Sequence, residues 1–157
     1  MRVDKAYRST RSKLADPDKL AKVIELATVQ RQPDVILVLF DAHDDCPAYL
    51  SKSLNPVCEG AQKRTAFVAA NGEYEAWFLS TVASLRKHPD VKDDAECHAK
   101  PEEPRNAKGE LSRSMTKPYS ETLHQEEFSE MLDLDEASQH CRSFQRLRAA
   151  VSSILGM

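Results

Sequence analysis

Apolar and polar positions along this chain resolve into two unbroken apolar runs and several helical stripes. Val35-Ile36-Leu37-Val38-Leu39-Phe40 is continuous and rich in β-branched residues, and polar residues close it at both ends. A short run without alternation predicts an interior strand covered on both faces, paired in parallel with a neighbour. Thr65 to Ala70 predicts a second strand, stopped by the sharp turn Asn71-Gly72.

Helical spacing appears elsewhere. Asp16-Pro17 reads as a cap followed by proline in the first turn, and Leu20, Val23, Ile24 and Ala27 then recur on one face as far as Thr28. Pro47 opens a second helix through Leu50 to about Leu54. After Gly72, Tyr74, Trp77, Phe78, Val82 and Leu85 form one apolar stripe, with Glu73 and Glu75 in the first turn, where carboxylates suit the helix dipole. Residues 88–104 are polar and proline-bearing and read as a long surface loop. Pro104 then starts a helix through Arg105, Lys108 and Leu111, and helices follow at about Gln125 to Leu132 and Ser143 to Leu155.

The expected architecture is therefore α/β: one domain over residues 1–157, a small parallel sheet flanked by helices, and a mainly helical part from 105 to 157. Two strands are few for such a sheet. A third candidate lies near Met1 to Ala6; otherwise the sheet is completed by helices or by another subunit, which makes a homodimer an expectation.

Composition narrows the function classes. With 41% hydrophobic and 30% charged residues the chain is ordinary for a soluble globular protein. Its longest apolar runs are too short to span a bilayer, so no membrane is expected, and without a signal-peptide pattern the expected location is cytoplasmic. A net charge of -3 argues against non-specific coating of nucleic acid. Arg2, Lys5, Arg8, Arg11 and Lys13 nevertheless crowd together, either as a solvated arm or as one that contacts phosphate. The four cysteines show no Cys-x-x-Cys spacing, and the pairs Cys97-His98 and His140-Cys141 point apart on their elements, so no zinc site is expected. Only four glycines are present and none forms a phosphate loop, which removes the P-loop and dinucleotide readings.

The chemistry concentrates after the first strand, in Asp41-Ala42-His43-Asp44-Asp45-Cys46-Pro47. If the two strands are parallel neighbours, their carboxyl ends share one edge of the sheet, where open α/β sheets bind ligands. Asp41 ends the first strand and Glu73 follows the second, so the fold would bring them together, with Asp44 or Asp45 joining from the loop. Such carboxylates suit Mg²⁺ or Mn²⁺, which favour oxygen ligands and keep waters for phosphates. His43 could serve as a ligand or a base. Equally, the aspartates could be turn formers and a cap for the helix at Pro47. Glu75, two residues beyond Glu73, would point away from it. Arg105 and Lys108, three apart on one helix, would share a face and could clamp a phosphate or simply meet solvent. Ser120 has no base in sequence reach that would make it a nucleophile.

The stretches Leu39 to Pro47, Glu73-Tyr74-Glu75-Ala76-Trp77-Phe78-Leu79, Arg105-Asn106-Ala107-Lys108-Gly109, Tyr119-Ser120-Glu121-Thr122 and Ser143-Phe144 together resemble a bacterial family, domain of unknown function 4276, described as having a Toprim-like fold. Toprim domains are metal-dependent phosphodiester-handling modules of topoisomerases, primases and some nucleases. They use a glutamate after a first strand and an Asp-x-Asp after a later one. The resemblance puts Asp41-Ala42-His43 at the Asp-x-Asp place, with His43 replacing the second aspartate. The family's usual first strand, ending in a Val-Glu-Gly-like turn, has no counterpart here. The resemblance implies Mg²⁺-dependent phosphodiester hydrolysis or phosphoryl transfer on nucleic acid, with Asp41, Glu73 and Lys108 catalytic, Arg105 and Lys108 on phosphate, and Asp41, Asp44, Asp45 and Glu73 on metal. The alternative is a non-catalytic binding or regulatory subunit beside a partner ATPase.

Overall fold

A computed structural model describes residues 5–157. The element order is α1 (Arg11–Leu14), α2 (Pro17–Arg31), β1 (Val35–Asp41), α3 (Pro47–Glu59), β2 (Arg64–Ala70), α4 (Glu75–Ser80), a 3₁₀ turn (Ser84–Lys87), α5 (Ala107–Arg113), α6 (Glu121–Met131), α7 (Leu134–His140) and α8 (Arg142–Leu155). The result is a mixed α/β architecture: a parallel two-stranded sheet, flanking helices and a helical C-terminal part.

β1 and β2 pair in parallel from Val35↔Arg64 to Asp41↔Ala70. Strand side chains alternate between faces. Val38, Phe67 and Ala69 thus pack with Leu20 and Ile24 of α2 and with Leu50, Leu54 and Cys58 of α3. On the other face Ala70 and Leu39 meet Trp77, Ala137, Cys141 and Phe144. A third cluster, built on Phe78, Leu85, Leu111 and Phe128, joins α4, α5 and α6 away from the sheet.

The caps explain most of the boundaries. Asp16 accepts the Lys19 N–H at 3.0 Å, Pro17 opens α2, and Gln32 closes it in the left-handed conformation at φ 49°. α7 was not expected from the sequence; it starts because Asp133 accepts the N–H groups of Asp135 at 3.1 Å and Glu136 at 2.9 Å. α6 begins at Glu121, a turn earlier than the apolar spacing suggests.

Two expectations need correction. The stripe from Tyr74 to Leu85 is not one helix. α4 stops at Ser80, where the Ser80 hydroxyl donates to the Trp77 carbonyl at 2.6 Å and the Ser84 hydroxyl to that of Thr81 at 2.8 Å, a local alternative to helical bonding. All six residues of α4 are buried, so it is an interior helix rather than an amphipathic one. Residues 88–104 lack a helix, and the loop is pinned to the core: Val91, Ala95 and Pro101 are buried, and Val91 bridges to Met115. The helix expected at Pro104 starts at Ala107, so Arg105 precedes it and shares no helical face with Lys108. The third-strand candidate at Met1 to Ala6 falls mostly outside the described residues; Lys5 and Ala6 are irregular.

Candidate functional site at the carboxyl edge of the sheet

Parallel pairing carries the two polar loops out of the sheet side by side. Beyond the last ladder pair, the Ala42 N–H donates to the Ala70 carbonyl at 2.9 Å and the His43 N–H to that of Gly72 at 2.8 Å. Both loops turn through left-handed residues: His43 has φ 51° and Gly72 has φ 73°. Histidine tolerates that region better than most side chains, and glycine does so without strain.

Asp41 lies at the floor of this edge. One of its carboxylate oxygens accepts the Tyr74 N–H at 2.9 Å, just ahead of α4. Burial raises its pKa, and the Tyr74 N–H, His43 and Lys108 work against that rise while Glu73 adds to it. Glu73 accepts the backbone N–H of Lys108 at 3.1 Å, which ties the start of α5 to the end of β2. Asn106 caps the same helix by accepting the Gly109 N–H at 2.8 Å. The structure therefore brings together Asp41, Glu73 and Lys108.

Asp44 and Asp45 do not join them. Asp44 pairs with Arg105, whose Nη2 lies 2.6 Å away, and both side chains are largely exposed, at 77% and 84%. Asp45 pairs with Arg11 of the amino-terminal arm. Arg11 also donates to the carbonyls of Asp41 at 3.1 Å and Ala42 at 3.0 Å, and lies over the Phe40 ring. The arm thus clasps the end of β1. Among the described residues, no three His, Cys, Asp or Glu side chains form a group that could hold a metal ion.

Two groups of the site escape sequence reasoning. Glu75, expected to face away, is buried with 1% of its surface exposed, and its polar neighbour is the Tyr119 hydroxyl. The Tyr119 hydroxyl is likewise buried and interacts with the Glu75 carboxyl. Burial pushes both groups up in pKa. The other is Glu121, in the first turn of α6, which pairs with the Lys108 ammonium. For Lys108, burial lowers the pKa, but Glu121, Glu75 and Glu73 outweigh it and the net shift is upward. The sequence carried no signal for Glu75: the stripe from Tyr74 to Leu85 predicts a longer helix with a polar side, and only the short, fully buried α4 turns this carboxyl inward.

A small cavity of about 160 Å³ opens at the rim, lined by His43, Asp44, Asn71, Glu102, Glu103 and Arg105. Glu102 anchors its far wall. Its carboxylate accepts the N–H groups of Arg142 at 3.1 Å and Ser143 at 2.9 Å and the Ser143 hydroxyl, and Ser143 in turn accepts from the Trp77 indole at 2.8 Å. Ser143-Phe144 is thus a structural joint, with Phe144 edge-on to Trp77 at 5.2 Å.

Fold and site define a mixed α/β protein with carboxylates and a lysine gathered where two parallel strands end. The family model for a domain of unknown function (DUF4276) matches residues 3–152, and the chain belongs to that family. No curated protein and no solved structure matches it. Among the described residues, no helix is long and apolar enough to cross a membrane.

Proposed function

We propose that this is a Toprim-like protein whose carboxyl-edge site handles a phosphodiester, with nucleic acid as the substrate class and Mg²⁺ or Mn²⁺ as the cofactor. The observation that carries this reading is the meeting of Asp41, Glu73 and Lys108 at the end of the parallel pair. Asp41 and Glu73 are hard oxygen donors and fit an ion that takes one or two carboxylates and keeps waters. They would hold the cation, which when bound supplies positive charge against the phosphoryl oxygens. Lys108, and Arg105 across the rim, would meet the phosphate once each leaves its carboxylate partner.

A second reading has its own support. His43 stands where a Toprim carboxylate would be, and Asp44 and Asp45 are committed to arginines. These features suit a regulatory subunit that keeps the fold without catalysis, beside a partner ATPase. Among the described residues β1 pairs only with β2, which leaves its outer edge for a homodimer contact.

Calorimetry and thermal unfolding with Mg²⁺ and Mn²⁺ separate the two. The first reading expects metal to raise the melting temperature of the wild type, as any ligand of the native state does, and expects Asp41→Asn to lose most of that gain while staying folded. A wild-type protein indifferent to millimolar metal would overturn it in favour of the second.

A further inference from the structure

The two strands of the sheet are covered unequally. Phe67 to Ala70 of β2 are all buried, whereas in β1 only Val38 is, and Leu37 is 37% exposed. Yet β1 carries the longer apolar run, and no lysine, proline or bulge blunts its edge. A strand edge of this kind is a template for another strand.

The register fixes which backbone groups that edge offers. The Ala42 N–H donates to the Ala70 carbonyl, so Phe40, Val38 and Ile36, in step with Ala42, turn their backbone groups toward β2. Asp41, Leu39, Leu37 and Val35 turn theirs outward. Among the described residues, those of Leu39, Leu37 and Val35 meet no hydrogen-bond partner. The row is closed at both ends. Arg11 donates to the Asp41 carbonyl at 3.1 Å. Pro33 has no N–H to give.

We propose that the occupant of this edge is β1 of a second copy of the chain, running antiparallel about a two-fold axis at Leu37. Leu37 then pairs with Leu37 of the second copy, and Val35 with its Leu39, and the two sheets become one continuous sheet. The closed ends select this register. An axis at Val38 would set Val35 against the Asp41 carbonyl that Arg11 already holds. An axis at Ile36 would set Leu39 against Pro33. Charge favours the same axis. Opposed side chains of an antiparallel pair share a face. Asp34, which is exposed, falls opposite Phe40 of the second copy, and Arg11 lies over the Phe40 ring. A carboxylate just before β1 in one copy thus meets the guanidinium that clasps the end of β1 in the other. This deepens the homodimer contact of the second reading and does not depend on metal.

The test is analytical ultracentrifugation of the full chain across concentrations, comparing wild type with Leu37→Lys. Beside it, Leu37→Cys is oxidised in a Cys46→Ser background, because Cys46 is exposed. The inference expects a wild-type dimer, and a dimer about tenfold weaker or more for Leu37→Lys, since two ammonium groups would meet at the axis. It expects Leu37→Cys to form a disulfide between copies, because hydrogen-bonded antiparallel pairs hold their Cα atoms about 5.5 Å apart, within disulfide reach. A monomeric wild type overturns the inference. So does a dimer that Leu37→Lys leaves intact, or one in which Leu37→Cys does not link. Should Leu37→Lys not fold, amide hydrogen exchange of the wild type decides. The Leu37 and Leu39 N–H groups should gain protection as concentration rises, and no gain overturns the inference. Metal is read separately. A monomer stabilised by Mg²⁺ ends this inference and leaves the first functional reading, and a linked dimer indifferent to metal does the reverse.

Discussion

The floor and the rim of the carboxyl edge use the same residue types and treat them in opposite ways. At the rim, Asp44 and Asp45 each pair directly with an arginine. At the floor, Asp41 and Glu73 accept backbone N–H groups, and Glu75 is buried beside the Tyr119 hydroxyl. Four residues of sequence separate Asp41 from Asp45, yet one is pulled in by Tyr74 and the other is held out by Arg11. The lesson is that charge in a loop says little until its partners are known. A paired aspartate on the surface contributes close to nothing. A poorly paired carboxylate in the interior is retained at a cost in stability, and such sites are where function concentrates.

The largest test of this contrast is the ground the floor stands on. Trp77 is 1% exposed, donates to Ser143 and packs on Phe144 and Tyr74. Trp77→Ala should cost about 3–5 kcal/mol in urea unfolding. A loss of less than 1 kcal/mol would mean that the floor is not rigidly supported.

Glu75→Met sharpens the comparison in the opposite direction. Removing a buried carboxyl whose polar neighbour is one tyrosine hydroxyl should stabilise the metal-free protein by about 1–3 kcal/mol at neutral pH. Its folded-state pKa is raised by burial, so the native state holds a proton that the unfolded chain has already lost. The wild type should therefore lose stability as pH rises from the ordinary carboxylate range through the raised value, and the variant should lose less. Below that range the two curves should converge, since the carboxyl is then neutral in both states. Denaturant unfolding across pH with a chelator present measures this, and parallel curves would show that burial does not penalise the charged form of Glu75.

The smallest effect belongs to the rim. Arg105→Ala breaks a pair that is 84% and 77% exposed, and stability should stay within about 0.5 kcal/mol of wild type. The same variant should bind phosphate-bearing ligands more weakly if Arg105 has the role proposed. A large stability loss would put the rim in the same class as the floor.

Much of this was legible from local pattern. The apolar runs at Val35 and Thr65 could be little other than strands, because their length and β-branching leave few alternatives, but β1 is covered only in part: Val38 alone is buried and Leu37 is exposed. Parallel pairing then placed Asp41 and Glu73 at one edge by topology alone. Helix starts with a proline or a capping aspartate, such as Asp16-Pro17, were also readable, because capping is a contact between near neighbours. The tertiary structure alone decided the rest. Glu75 turned inward because α4 is packed on every side, which no periodicity in six residues can reveal. Arg11 reached Asp45, Arg105 reached Asp44, and Lys108 reached Glu121, across separations of 34, 61 and 13 residues. Any charged loop residue has many chemically equivalent partners in the chain. Which of them it meets depends on how helices pack against a sheet, and that packing is set by the whole core rather than by the residues that carry the charge.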